Sequence, residues 1–112
     1  MNFETRFSNN IAILALAGRF DTNTAPPVAA WLEKATTTPP AQVVVNLAQT
    51  TFVDSTALAT LVQALKRSRQ GQGDVHLCGL QRSVYMIFEL TRLDKAFNIF
   101  VDEDHAIAAF TE

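Results

Sequence analysis

Hydrophobic and polar positions change their period several times along the chain, and each change marks an element. Phe3, Thr5 and Phe7 alternate with Glu4 and Arg6, the period-two pattern of a half-buried strand. Ser8-Asn9-Asn10 has turn chemistry, and Ile11 to Ala17 reads as a second, more apolar strand. The two are expected to form an antiparallel hairpin that Gly18 ends. Val28, Trp31, Leu32 and Ala35 then repeat at i, i+3, i+4 and i+7, one apolar face of a helix. Thr22-Asn23-Thr24 offers its N-caps, and Pro26 and Pro27 fit a first turn whose N–H groups have no intrahelical partner. Thr36 to Pro40 stops this helix. Val43-Val44-Val45 is apolar on both faces, as a central strand covered by helices on both sides requires.

After a short segment, Ala48 to Val53, the helical spacing returns in Leu58, Leu61, Val62 and Leu65. Lys66, Arg67 and Arg69 complement the dipole of its last turn, and Gly71 and Gly73 suit the exit. Asp74 to Cys78 is a short strand with Val75 and Leu77 on one face. Gln81 to Leu90 is a third helix with Val84, Ile87 and Phe88 inward, and Phe97 to Val101 a last strand. Asp102 to Phe110 closes the chain as a helix with Ala106, Ile107 and Phe110 as its stripe. The order β-β-α-β-α-β-α-β-α predicts an α/β fold: a mixed, mostly parallel sheet of four to five strands with about four helices and right-handed crossovers.

Composition narrows the class. A chain of 112 residues, 48% hydrophobic, is expected to form a single domain over residues 1–112 without a disulfide or metal staple. A net charge of −2 disfavours nucleic-acid binding, which draws on a basic patch. No apolar run reaches the ~18–20 residues of a membrane span, and MNFETRF does not open like a signal peptide. Cys78 is the single cysteine, which leaves no internal disulfide or multi-cysteine metal site. A cytoplasmic protein without a membrane partner is the expectation.

Candidate chemistry is sparse. His76 and His105 have no Cys or His partner at metal-ligand spacing and read as structural or solvent-facing; Cys78 reads as a small buried hydrophobe. The glycines of Gly71-Gln72-Gly73-Asp74 follow a helix and precede no lysine, unlike a phosphate loop. Asp102, Glu103 and Asp104 fit a solvated helix start. A receiver-domain reading of Asp54 fails, because Gly18-Arg19-Phe20-Asp21 supplies one acid where magnesium ligation needs a pair. No nucleophile–base pair is visible, so no enzyme activity and no cofactor or metal is expected.

One segment carries more. Asp54, Ser55 and Thr56 crowd the point where a buried strand hands over to a helix, although one side chain suffices as N-cap. Plain capping is one reading; Ser55 is expected at the looser, protruding N-cap position, with Thr56 already held in the first turn. The other is a hydroxyl displayed at a helix N-terminus, where free N–H groups and the dipole accommodate an anion. A phosphate on Ser55 would add about −1.5 to −2 charges beside Asp54, attracted by the helix and repelled by the carboxylate. The fold should survive while the surface potential changes.

Asp54-Ser55-Thr56-Ala57-Leu58, preceded by Phe52-Val53, resembles the Asp-Ser-Ser/Thr-Gly-Leu motif of the STAS family, and in particular its bacterial anti-sigma factor antagonists. Gly18-Arg19-Phe20-Asp21, Val43-Val44-Val45-Asn46-Leu47 and Thr91-Arg92-Leu93-Asp94-Lys95-Ala96-Phe97 resemble further family segments in the same order. The resemblance implies a STAS fold and a partner-switching regulator of transcription. In it, the unphosphorylated form binds an anti-sigma factor serine kinase and releases the sigma factor. Phosphorylation at Ser55 ends that binding, and a PP2C-type phosphatase reverses it. The implied partner surface comprises Asp21, Thr22, Asn23, Thr24, Asp54, Thr56 and Ala57. Ala57 replaces the family's glycine, adding a methyl where a partner backbone would approach. STAS domains also serve as scaffolds of sensory assemblies and as accessory subunits of lipid-transport ABC systems, which is the alternative.

Overall fold

The computed structural model describes residues 2–111. Strands β1 (Asn2–Ser8), β2 (Ile11–Phe20), β3 (Gln42–Val53), β4 (Asp74–Cys78) and β5 (Asn98–Phe100) form one sheet in the spatial order β1-β2-β3-β4-β5. β1 runs antiparallel to β2, and the remaining neighbours are parallel. Helices α1 (Ala25–Ala35), α2 (Ser55–Gln70) and α3 (Arg82–Leu90) connect β2 to β5, and α4 (Glu103–Thr111) follows β5. A 3-10 turn at Leu93–Lys95, which the apolar pattern did not reveal, precedes β5.

Strand order explains the layering. Each crossover steps one strand in the same direction, so right-handed connections place α1, α2 and α3 on one face. Leu14, Leu16, Val43, Val45, Val75 and Leu77 meet Val28, Leu32, Leu61, Leu65, Val84 and Phe88 there. Among the described residues only α4 covers the other face, where Ile11, Ile13, Val44 and Cys78 pack with Ala106, Ile107 and Phe110. The central strand is covered on both sides as expected, but by three helices against one. Gly73 shows how closely β3 and β4 begin side by side: a Cβ there would lie 2.0 Å from the Ala41 carbonyl oxygen.

Some expectations need correction. Phe7 is 73% exposed rather than half-buried. β2 does not stop at Gly18, which takes φ +94 at a register shift and lets the strand continue to Phe20. Ala48 to Val53 is not a separate segment but the second half of β3. Polar Gln49, Thr50 and Thr51 conceal that strand in the sequence. Thr50 is nevertheless fully buried, and its hydroxyl donates to the Leu16 carbonyl at 3.1 Å.

The start of α4 is also less solvated than expected. Glu103 accepts from Arg6 of β1 and from Asn46 Nδ2 at 2.7 Å, tying the helix to two strands. Arg6 first, and Asn46 with it, hold the Glu103 carboxyl below the ordinary 4.5. A depressed carboxylate adds stability above its unfolded value and loses it as pH falls through the folded one. The melting temperature is therefore expected to drop on acidification below about pH 4.5, and Glu103→Gln to shallow that slope in melts from about pH 6 to about pH 3.

His76 is structural: its Nδ1 donates to the Ala106 carbonyl at 2.9 Å, and its ring stacks on Phe110 at 3.7 Å. His105 is exposed and pairs with Asp102, which caps α4 by accepting from the His105 N–H. Burial pushes the Cys78 thiol up to about 12, so it behaves as the apolar filler its position suggests. Ser68 on α2 is a different case, because its buried hydroxyl has no hydrogen-bond partner among the described residues. Ser68→Ala removes that unmet group and should stabilise the protein by about 1 kcal/mol in urea unfolding.

Candidate functional site

The parallel pairing of β2 with β3 builds the site. β3 pairs with β4 only as far as Asn46, whereas its pairing with β2 runs on to Phe20↔Val53. The two strands thus project together past the rest of the sheet and end side by side. The loop after β2 and the start of α2 are delivered to one place, joined by the Asp54 N–H donating to the Phe20 carbonyl at 3.3 Å.

Asp54, and not Ser55, is the N-cap of α2. One carboxylate oxygen accepts the Ala57 N–H at 2.9 Å. The other reaches across to the loop and accepts the Thr22 N–H at 2.9 Å and the Thr22 hydroxyl at 3.1 Å. With its proton spent on Asp54, Thr22 Oγ1 is the acceptor for the Thr56 hydroxyl, 3.0 Å away. A chain of donation therefore runs from Thr56 to Thr22 to Asp54. The Ala57 N–H, followed by the Thr22 groups, holds the Asp54 carboxyl below the usual carboxylate range, so it is ionised at neutral pH.

Ser55 occupies the first helical position instead of the looser capping position. Its side chain is exposed, and its hydroxyl makes no hydrogen bond among the described residues. Thr56 is also exposed, but its proton is committed to Thr22. The two adjacent hydroxyls differ in engagement rather than in cap position.

The loop is built as firmly as the helix start. Asp21 accepts from the N–H groups of Asn23 at 3.0 Å and Thr24 at 3.2 Å. Thr24 is the N-cap residue of α1 but does not cap it with its side chain. Its hydroxyl turns back to donate to the Arg19 carbonyl at 2.8 Å, and the Asp21 carbonyl takes the Ala25 N–H instead. Asp21, Thr22, Asn23, Thr24, Asp54, Ser55 and Thr56 therefore lie together, with Thr22, Asn23, Ser55 and Thr56 exposed.

Ala57 does not join them. It is fully buried, its methyl turned into the core, so it offers a partner no surface. An additional pair lies beside the loop: Arg19 places its guanidinium 4.0 Å above the Phe52 ring and its Nε 3.4 Å from Asp21. Both residues are in conspicuous sequence segments, but their pairing depends on the β2–β3 register, Arg19↔Phe52, which no local pattern contains.

Among the described residues no group of three His, Cys, Asp or Glu side chains is placed to hold a metal ion. No described helix is long and apolar enough to cross a membrane.

Comparison with known proteins agrees with this geometry. A family profile described as STAS domain matches residues 2–106. The anti-sigma-B factor antagonist of Listeria monocytogenes is 33% identical over 84 residues, 75% of this chain and 74% of that one. Among solved structures, a STAS domain protein from Planctomyces limnophilus superposes with a TM-score of 0.90 at 17% identity, over 98% of both chains. The phosphorylated form of the Bacillus cell fate determinant SpoIIAA superposes with a TM-score of 0.77 at 16% identity, over 97% of this chain and 99% of that one. The order and layering of elements are those of the STAS fold, and the chain belongs to the STAS domain family, where its relatives are anti-sigma factor antagonists.

Proposed function

We propose that this chain is an anti-sigma factor antagonist controlled by phosphorylation at Ser55. Unmodified, it binds an anti-sigma factor serine kinase in the cytoplasm and so releases the sigma factor. A phosphate on Ser55 ends that binding, and a PP2C-type phosphatase restores it. The docking surface comprises Asp21, Thr22, Asn23, Thr24, Asp54, Ser55 and Thr56.

The observation that carries this reading is the contrast between neighbouring hydroxyls. Ser55 Oγ is exposed and unengaged, whereas Thr56 Oγ1 belongs to the network that ends on Asp54. Phosphorylating Thr56 would break that network; phosphorylating Ser55 leaves it in place. Beyond the Asp54 cap, the first turn of α2 contains no further acidic side chain to repel a phosphate.

This chain is the substrate in that reaction and not its catalyst. Asp54 is adjacent to the acceptor, but its carboxylate is committed to Ala57 and Thr22 and held below the usual range. It is a poor base for the seryl proton, and the kinase must supply the base and the bound nucleotide.

The test is site mapping by mass spectrometry after incubation with the cognate kinase and magnesium ATP. One phosphate on Ser55, and none on the Ser55→Ala variant, is the expected result. Phosphate on Thr56, or undiminished labelling of Ser55→Ala, would refute the assignment.

A further inference from the structure

We infer that the cavity between the β1–β2 hairpin and the last turn of α1 is a binding site for a flat aromatic anion. It lies at the opposite end of the parallel strands from Ser55, where β3 begins, and the inference does not rest on the function proposed above.

The cavity has a volume of about 470 Å³, the size of a small-molecule site. Its lining includes Phe7 of β1, Ala12 of β2, and Trp31 and Ala35 of α1. Phe7 stands opposite Ala12 in the hairpin register, on the same face of the sheet. Ala12 continues the helix-facing row of Leu14 and Leu16, but with a methyl where they carry isobutyl groups. That change in size opens the slot. Phe3, two pairs further along the same row, packs against the core, while Phe7 stays 73% exposed. Two aromatic side chains beside a cavity, one of them largely in water, provide faces on which another ring can stack.

Charge selects the ligand further. Lys34 is the charged side chain of the lining, no acid lines the cavity, and its ammonium makes no ion pair among the described residues. Gln42 adds an amide to the lining. An apolar slot lined by one lysine without an ion-pair partner among the described residues fits a carboxylate on an aromatic ring better than a cation of the same shape.

Trp31 is the protein's single tryptophan, so its indole N–H gives one resonance in heteronuclear NMR spectra and reports on this cavity. The full chain is titrated with naphthoate, neutral naphthalenemethanol, cationic naphthylmethylamine and decanoate. Naphthoate is expected to shift the Trp31 resonance saturably, and naphthylmethylamine to bind more weakly. Lys34→Gln should weaken naphthoate about fivefold, the worth of one ion pair, and leave naphthalenemethanol unchanged. Phe7→Ser should abolish the binding of both; Phe7 and Lys34 are exposed, so neither change disturbs the core. The inference is overturned by the absence of a saturable shift, by equal affinity for the amine, or by Lys34→Gln binding naphthoate as tightly as the parent. Tighter binding of decanoate than of naphthoate overturns it too, in favour of an acyl site.

Discussion

Phosphate on Ser55 is expected to weaken binding to the anti-sigma factor kinase by roughly 30- to several-thousand-fold, the cost of burying an uncompensated charge in an interface. The size of the effect follows from the neighbouring Asp54 carboxylate. The Ala57 N–H, followed by the Thr22 groups, holds the Asp54 carboxyl below the usual carboxylate range, so it stands as a second anion beside the new phosphate. Docking would have to bring both anions out of water together. Ser55→Ala should bind the kinase whatever the nucleotide supply, and Ser55→Asp poorly, which calorimetric titration against the nucleotide-loaded kinase would measure. The fold itself should be indifferent. Ser55 lies on the exposed side of the first turn, so phosphorylated and unmodified protein should melt within a few degrees of each other. Equal affinity of the two forms would remove the switch, and a fall of about 15 °C on phosphorylation would mean that it acts by unfolding.

Leu61→Ala should cost about 2–5 kcal/mol in denaturant unfolding, the range for truncating a buried leucine. Leu61 is fully buried in the middle of α2, in the cluster that joins this helix to β3 and β4. The removed methyl groups lose both their transfer energy and their neighbours, because a layer held on either side by strands and helices cannot collapse to fill the gap. Leu90→Ala is the control. Leu90 is 81% exposed at the end of α3, and its loss should stay within about 0.5 kcal/mol. A loss at Leu61 as small as that would contradict its burial. The Leu61 variant should still bind the kinase normally while folded, because the proposed surface lies at the start of α2, more than a turn before Leu61.

The apolar stripes were legible in the sequence because each is repeated within one element. Val28 and Leu32, Leu58, Leu61 and Leu65, and Val84 and Phe88 are all buried at the positions their spacing indicates, with Val62 half-buried beside them. The strand Asp74–Cys78 agrees to the residue. Where the pattern misled, a partner outside the window had decided the matter. Thr50 looked like loop chemistry because it is polar, yet the Leu16 carbonyl satisfies its hydroxyl inside the core. Phe7 looked inward because it alternates with Arg6, yet the cavity beside it leaves it exposed. Glu103 looked like a solvated helix end because its partners, Arg6 and Asn46, are far away in the chain.

The candidate site divides in the same way. Asp54-Ser55-Thr56 was conspicuous in the sequence, since three capping residues exceed what one helix start needs. Sequence alone also determined the element order, the faces of the helices and the segment where chemistry was to be sought. These follow from interactions between residues a few positions apart. Only the tertiary structure decided which of the three residues caps the helix, which hydroxyl is free, and that Ala57 is out of reach. The hydrogen bonds that separate Ser55 from Thr56 cross from Thr22 to Asp54 and Thr56, more than thirty residues apart in the sequence. What brings those segments together is the parallel register of β2 on β3, set by burial along the whole length of the two strands and written in no single stretch of the chain.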